Sequence, residues 1–289
     1  MCKSLLGENK TTGALKVNGL YLYCIREKAQ QKITTEGIDG KSKVFLFPYQ
    51  DLEAVVSEVP LEEFDSEEIQ QKAQEDLNWI KEKSQLHEAV VEEAMGSNGN
   101  TSAVIPMTFG TIFKSREKIQ RTVAEHYSEF ENLLTFLQGK QEWGVKVYLS
   151  NRKALEEIIK NNDNVKATQE KISVMPKGMA YFFEKQMAEQ ISSEISREIE
   201  IYTQEIFLAL TKHAQTGIKG KILDKELTGK CEPMVLNAIY LIQTRDVEHF
   251  KKEINRLSRE MDQKGFQFEY SGPWPPYNFT KLEEYDSIC

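Results

Sequence analysis

The chain has 289 residues, which is too long for one ordinary hydrophobic core and long enough for two. Its formal net charge of −8 argues against binding to nucleic acid or anionic lipid, because both require a basic surface and Lys and Arg are interleaved with Asp and Glu here. No apolar run is long enough for a signal peptide or a membrane span, so we expect a cytoplasmic protein without membrane contact.

The first half of the chain predicts four strands rich in β-branched and aromatic residues, at 20–25, 44–47, 52–59 and 103–105. Between the third and fourth strands, apolar residues at helical spacing predict one helix from about residue 66 to 95, ending at Gly96. A second helix is predicted to begin after its cap, Ser115, and to end at Gly139.

The second half starts again with a predicted strand at 143–149 and a short helix at 153–160. The polar segment 161–177 is predicted to be a mobile linker. A helix over about 179–214 would be about 50 Å long and would overhang an ordinary sheet, which leaves part of it free to pair with another helix or subunit. A hairpin-like stretch at 218–243, whose apolar run at 235–242 predicts a central strand, is followed by a helix at 247–261 and a strand at 266–270.

Strands grouped with helices on one face predict an α+β protein made of two ferredoxin-like domains. The predicted boundaries are a flexible leader at 1–18, an N-terminal domain at 19–140, a C-terminal domain at 141–270 and a tail at 271–289.

The tail combines prolines, which favour an extended backbone, with three large aromatic residues, Trp274, Tyr277 and Phe279. We predict that these aromatics form a structural strap and that Trp274 is buried against the C-terminal domain. The alternative is that the tail is a ligand strip for a domain that reads proline-rich segments.

The run from Pro106 to Phe113 carries many apolar groups across a strand that proline interrupts. One interpretation is a bulged edge strand in which Gly110 adopts a positive φ. The other is an exposed apolar edge that binds a partner together with the second strand. The partner-binding residues predicted on this basis are Phe109, Thr111, Phe113, Phe45 and Phe47.

The sequence carries no recognisable motif for catalysis, for a cofactor or for a metal. His87-Glu88 begins an H-E-x-x-H pattern, but Val91 occupies its last position, and His87 lies on an apolar helical stripe typical of a core histidine. The glycines near Gly217 lack the spacing of a phosphate-binding loop. The four cysteines lack metal or disulfide spacing, so reduced thiols are expected. We therefore predict no catalytic residues, no cofactor and no metal.

Several stretches in the same order along the chain resemble the gas vesicle protein L/F family. They are 48–57, His87 within its helix, 104–113, 142–147 and, most specifically, 271–279. The resemblance implies two ferredoxin-like domains with a C-terminal tail and no catalytic residues. It also implies an accessory protein of gas vesicle assembly, a minor vesicle component, that binds the small apolar shell protein of the GvpA/GvpB type and limits its aggregation during nucleation. Other gas vesicle accessory proteins are further implied partners.

Two functions of other classes stay open at this point. Ferredoxin-like domains also host small-molecule enzymes and ligand sensors, which a pocket with convergent polar groups would favour. A self-associating structural subunit would be favoured by a two-fold contact along residues 179–214. For the shell-protein contact itself, the N-terminal half is the predicted location, because the tail is expected to cover the apolar surface of the C-terminal half.

Overall fold

The computed structural model describes residues 18–29, 31–64, 69, 71, 72, 75–96 and 102–280. The described chain forms two compact units, with the boundary between Phe136 and Leu137. Unit 1 precedes that boundary and also takes in Thr280, and unit 2 covers Leu137–Phe279. The predicted leader, apart from Asn18, and the end of the predicted tail, 281–289, lie outside the described residues.

Unit 1 is built on a five-stranded antiparallel sheet in the order β2-β3-β1-β4, with β5 also paired to β1. The strands are β1 Asn18–Glu27, β2 Val44–Tyr49, β3 Leu52–Pro60, β4 Val104–Pro106 and β5 Ile112–Phe113. The central strand β1 is buried from Gly19 to Arg26, as its nearly continuous apolar run predicts. The described part of the β1–β2 connection contains no helix.

Helices cover both faces of this sheet. They are α1 Leu61–Phe64, α2 Leu77–Met95, α3 Arg116–Glu125 and α4 Tyr127–Leu137. Tyr21 and Tyr23 of β1 share a core with Val91 of α2. The neighbouring side chain Leu22, which points to the opposite face, lines a small void together with Phe130 of α4. Unit 1 is therefore a mixed helix and antiparallel sheet structure in which the sheet is the middle layer.

Two of the predicted helices of unit 1 are interrupted. Asp76 leaves the helical conformation (φ −132°, ψ 87°), and its carboxylate accepts hydrogen bonds from the backbone N–H groups of Asn78 and Trp79, which makes it the N-cap of α2. His126 (φ −105°, ψ 15°) separates α3 from α4. The prediction of continuous helices over 66–95 and from 115 to 139 was wrong at these points. Residues 65–68, 70, 73 and 74 lie outside the described part of the first one.

Unit 2 contains a four-stranded antiparallel sheet in the order β7-β8-β6-β9. Its strands are β6 Lys140–Leu149, β7 Thr216–Lys219, β8 Met234–Gln243 and β9 Phe266–Trp274. Its helices are α5 Arg152–Lys160, α6 Asp163–Ser173, α7 Lys177–Thr211, α8 Lys225–Thr228 and α9 Val247–Asp262. Alternate residues of β6, among them Val145 and Val147, pack in one core with Leu210 of α7 and Phe250 of α9.

The segment predicted as a mobile linker, 161–177, contains helix α6. Ile172 is buried, and Val165 packs against the core of unit 2. These two residues lie about two helical turns apart and therefore on the same face of α6. They form the buried face of a short helix that is otherwise polar. The sequence carried no clear signal for this helix because a stripe of only two apolar residues is easily read as no stripe, and the mobility of the segment stays a prediction.

A buried ion pair lies inside unit 1. The Nε of Arg26, on β1, donates to Oε1 of Glu53, on β3, at 2.8 Å, and both residues are buried. The other guanidinium nitrogens donate to the carbonyl oxygens of Ala94, at 2.7 Å, and Gln31, at 2.9 Å. One side chain therefore connects β1, β3, α2 and the β1–β2 connection.

Candidate functional site

The residues predicted to form an apolar edge in the N-terminal half are mostly covered. Thr111 and Phe113 are buried, and Phe109 is half-buried. Phe109 packs with the core on the α2 side of the sheet, whereas Phe113 borders a small void on the α3 side. The expectation of exposure was wrong here, because helices from elsewhere in the chain cover both faces of the run.

A hydrogen-bonded chain fixes the same run from inside. The backbone N–H of Gly110 donates to the Tyr21 hydroxyl at 2.9 Å, and this hydroxyl lies 2.9 Å from Nδ1 of His87. The His87 ring also hydrogen-bonds the backbone of Met107, whose carbonyl oxygen can only accept. Burial lowers the pKa of His87 to about 4, so the neutral ring accepts from Tyr21 and donates to Met107. This agrees with the prediction of a core histidine. Gly110 has φ +87°, as the bulged-strand interpretation expected.

Phe45 and Phe47 lie on the edge strand β2 and are half-buried. The guanidinium of Arg116 sits over the Phe45 ring, 5.3 Å from its centroid, and covers part of it. The structure thus does not gather the five predicted partner-binding residues on one exposed surface. That they contact a partner stays a prediction, without the exposure from which it was derived.

The predicted strap is attached differently from the expectation. Strand β9 continues past residue 270 to Trp274 as the edge strand next to β6, where Pro273 needs no ladder donor on its open side. Trp274 is 37% exposed, so the prediction that its indole is buried was wrong. Pro275 and Pro276 are buried instead, and Tyr277 and Phe279 are half-buried.

The attachment of this segment centres on Glu142, a buried residue of β6. Asn278 donates to its carboxylate twice, from the side-chain amide at 2.6 Å and from the backbone N–H at 3.0 Å. Burial raises the pKa of Glu142 to about 7, although both of these hydrogen bonds act in the opposite direction. The segment after β9 is therefore held by a polar contact that composition alone did not indicate.

Replacing Trp274 by Ala is now expected to lower the free energy of unfolding by less than about 2 kcal/mol, since more than a third of the side chain is already in water. The matched control is Trp143→Ala in the same unit, where the indole is 5% exposed and the expected loss is about 3–5 kcal/mol. Urea denaturation followed by circular dichroism measures both. Equal losses for the two variants would restore the buried-strap interpretation.

A cluster of exposed apolar side chains lies instead at the start of the long helix α7. We call it the aromatic patch, and it consists of Val174, Met179, Tyr181, Phe182 and Phe183. Tyr181 is 73% exposed and Phe182 65% exposed, and the rings of Phe182 and Phe183 meet edge to face at 5.9 Å. Such a concentration of exposed apolar side chains within a short segment is typical of interaction sites.

The patch arises from the length of α7. Along the stripe Phe183, Met187, Ile191 and Ile195, burial increases toward the C-terminal end, from a 37% exposed Phe183 to a 2% exposed Ile195. The first turns of the helix thus extend beyond the elements that cover its later turns. The predicted overhang is present, but its aromatic composition gave no signal in the periodicity, since Tyr181 and Phe182 lie off the stripe.

A groove of about 430 Å³ lies between α5, α6 and the following turns of α7. Its apolar walls are formed by Leu155, Ile158, Ile159, Val165, Met187 and Ile191. Two carboxylates, those of Glu194 and Glu198, line it further along α7. We call this the acidic groove.

The described chain also contains polar groups that line neither the patch nor the acidic groove. A polar depression of about 330 Å³ contains His213 and His249 together with Asp246. Within the described ranges, no three His, Cys, Asp or Glu side chains are placed so that they could hold a metal ion. Cys24 is buried and Cys231 is exposed, both as free thiols, and Cys2 and Cys289 lie outside the described residues. Of the helices that the structure describes, none combines the length and the apolar character needed to cross a membrane.

Comparison with known proteins gives consistent results at three levels. The family model described as gas vesicle synthesis protein GvpL/GvpF matches residues 19–281. Gas vesicle protein L of Streptomyces sp. (strain CB03234) is 25% identical over 86% of this chain and 87% of its own length. Gas vesicle protein F1 of Halobacterium salinarum is 22% identical over 91% and 93%, respectively.

Two solved structures share the fold. The crystal structure of the gas vesicle protein GvpF from Anabaena sp. PCC7120 superimposes with a TM-score of 0.68 at 19% identity, covering 93% of this chain and 98% of that one. For GvpF from Microcystis aeruginosa the TM-score is 0.64 at 19% identity, over 91% and 99%. The similarity therefore extends over both units.

Proposed function

The chain belongs to the GvpL/GvpF family of gas vesicle synthesis proteins, and from this premise we propose that it is an accessory protein of gas vesicle assembly. In this proposal it binds the small apolar shell protein in the cytoplasm, limits the aggregation of that protein while a vesicle nucleates, and cooperates with other accessory proteins at the vesicle. It acts by binding and not by catalysis, and it needs no cofactor.

The observation that carries this proposal is the aromatic patch. A chain with a net charge of −8 that displays Tyr181 and Phe182 to solvent combines an apolar contact surface with a strongly solvated body. The apolar surface can cover exposed apolar groups of an aggregation-prone partner. The net negative charge makes separate complexes repel one another. Aromatic and Met side chains, which make up most of the patch, are also enriched at protein interfaces.

The fold assigned in this proposal is ferredoxin-like for unit 2. Its strands and helices follow the order strand, helices, strand, strand, helix, strand, and the sheet order β7-β8-β6-β9 is that of the split βαβ arrangement. Unit 1 has the corresponding strand order, but a connection takes the place of the first helix. The segment after β9 is the C-terminal tail of the family resemblance.

The proposal predicts that Phe182→Glu abolishes protection of the shell protein. A charge in the middle of the patch opposes apolar contact, and the 65% exposed side chain contributes little to folding. The measurement is light scattering of the shell protein after dilution from denaturant, with the full chain in equimolar amount. Wild type is expected to suppress most of the scattering, and the variant little of it.

The matched control is Leu227→Glu, which places the same charge on α8 at a side chain that is 74% exposed. This variant is expected to protect the shell protein as well as wild type does. If Phe182→Glu protects as well as Leu227→Glu does, the patch is not the contact surface. If wild type gives no protection, the binding function itself is wrong, and an assay of sedimentation then tests the self-association alternative.

A further inference from the structure

We infer that the acidic groove accepts one amphipathic helix of a partner protein, with its apolar face in the groove and Lys or Arg at the end that meets Glu194 and Glu198. This inference rests on the proposed function, since it specifies the kind of segment that the proposed partner presents.

The dimensions of the groove fit a short helix. Between Met187 and Glu198, α7 advances by about 16 Å, which is the length of about three helical turns. Ile158 of α5 and Val165 of α6 form walls facing this stretch. A helix laid into a groove between helices through residues at i, i+3, i+4 and i+7 is a common recognition mode, and an apolar stripe of three turns supplies those positions.

The charge of the groove indicates which end of that helix carries basic residues. Among its described lining residues, Glu194 and Glu198 are the charged ones, and both are acidic. Glu194 also pairs with the exposed Arg197 at 3.3 Å, and Glu198 hydrogen-bonds the hydroxyl of Tyr202. Arg197 lies outside the lining and offsets part of the Glu194 charge, but the groove is lined by two carboxylates against this one exposed cation, so the balance at that end of the groove is negative.

A neighbouring groove provides an internal comparison. It has a volume of about 410 Å³ and shares Met187 and Ile191 with the acidic groove. Its lining contains two basic side chains and two acidic ones, Arg152, Lys160, Glu156 and Glu184. Because its charges are balanced, this neighbouring groove gives no preference for a basic helix. Of the two grooves, only the acidic groove therefore favours such an occupant.

The aromatic patch fixes which end of the occupant is apolar. Phe183, one member of the patch, precedes Met187 of the acidic groove by one turn of α7, so these two side chains lie on the same stripe of the helix. An occupant laid along this stripe meets Phe183 and Met187 at one end and the carboxylates of Glu194 and Glu198 at the other. The structure thus favours a helix whose apolar stripe ends in basic residues over one that is basic throughout.

The test uses the full chain and a fluorescein-labelled model peptide of about 14 residues, with a Leu stripe at helical spacing and two Lys residues at one end. A second peptide has Glu in place of both Lys. Fluorescence anisotropy is expected to give an affinity for the Lys peptide that is about tenfold higher, since its two Lys residues form weak surface ion pairs that the Glu residues of the second peptide cannot form. The difference should shrink in high salt.

Two substitutions locate the site. Ile158→Glu is expected to weaken binding of the Lys peptide at least tenfold, whereas Leu208→Glu, on α7 outside both grooves and similarly exposed (49% against 44%), changes it less than twofold. Glu194→Gln with Glu198→Gln should bring the two peptides within threefold of each other. The control pair is Glu200→Gln with Glu205→Gln, exposed carboxylates of the same helix that do not line the groove.

Equal affinity for the two peptides, or full binding to Ile158→Glu, overturns the inference. If sedimentation shows a dimer of the full chain that Ile158→Glu dissociates, the occupant is a second copy and the inference is likewise wrong. If the wild-type chain does not bind the Lys peptide but still protects the shell protein, the helix-binding role of the groove is rejected and the proposed function is retained. Peptide binding without protection of the shell protein supports the groove as a helix-binding site and rejects the proposed function.

Discussion

Replacing Arg26 by Met is expected to lower the free energy of unfolding by about 3–5 kcal/mol. The guanidinium is 0% exposed and satisfies three acceptors, the Glu53 carboxylate and the carbonyl oxygens of Ala94 and Gln31. Met fills much of the same volume but donates no hydrogen bond, so a 5% exposed carboxylate loses its counter-charge. Urea denaturation followed by circular dichroism measures the loss.

Two further variants show whether burial is the cause. Arg121→Met removes an Arg with a similar contact, 2.8 Å to Glu125, but the side chains are 80% and 54% exposed, so the expected loss is much smaller than that of Arg26→Met. Combining Arg26→Met with Glu53→Leu should recover part of the stability, because an apolar pair of similar volume leaves no buried charge. If Arg26→Met and Arg121→Met cost the same, the pair is not buried in solution.

The sequence predicted the strands of the fold well where their burial is complete. The runs Leu20–Ile25 and Val235–Ile242 are nearly continuous in apolar residues, since β1 and β8 are inner strands of their sheets, and both were predicted within a few residues. Helix interruptions were not predicted, because a cap such as Asp76 or a break such as His126 inside an amphipathic stripe leaves the periodicity on both sides intact.

The candidate site was predicted less well, for a related reason. Sequence reveals which side chains are apolar, but their exposure depends on which other elements cover them. Phe113 is covered by α3 and α4. Phe182 is equally apolar, but no other part of the described chain covers most of its surface. The length of α7 was the usable signal, since about 50 Å of helix exceeds what one sheet can cover. Combining that length with the aromatic residues at its start would have located the patch.

His87 is expected to make the stability of the protein depend on pH between about 4 and 6.5. Burial lowers the pKa of the imidazole from 6.5 to about 4 in the folded chain. Over that interval the unfolded chain binds a proton that the folded chain does not, so stability rises with pH. The contribution of His87 is fully present above pH 6.5 and is lost as the pH falls toward 4, to a maximum of about 3 kcal/mol.

The surroundings of the ring support this sign. Its centroid lies 5.6, 5.7 and 6.1 Å from those of the Tyr21, Tyr23 and Phe109 rings, and it hydrogen-bonds a hydroxyl and a carbonyl. An imidazolium would have to donate at Nδ1, where the Tyr21 hydroxyl already receives the N–H of Gly110 and donates to the ring. Protonation therefore both charges a buried group and reverses a hydrogen bond that fixes the 106–113 run.

Glu142 contributes with the opposite sign, because burial raises its pKa from 4.5 to about 7, and stability falls as the pH rises through that interval. The net pH profile of the wild type is consequently flatter than either contribution. The comparison that isolates His87 is the difference in unfolding free energy between wild type and His87→Gln, measured by urea denaturation from pH 4 to 7, since Glu142 is present in both proteins and cancels.

Glutamine can imitate the neutral ring, with its amide oxygen accepting from Tyr21 and its amide N–H donating to Met107, but it does not titrate. The stability advantage of the wild type over His87→Gln is thus expected to shrink by about 3 kcal/mol as the pH falls from 6.5 to 4. His249→Gln, which removes an exposed imidazole, is the control for the loss of a histidine as such. A difference between wild type and His87→Gln that stays constant across the range would mean that the imidazole is not buried, and the Gly110–Tyr21–His87 chain would then not be what holds the 106–113 run in place.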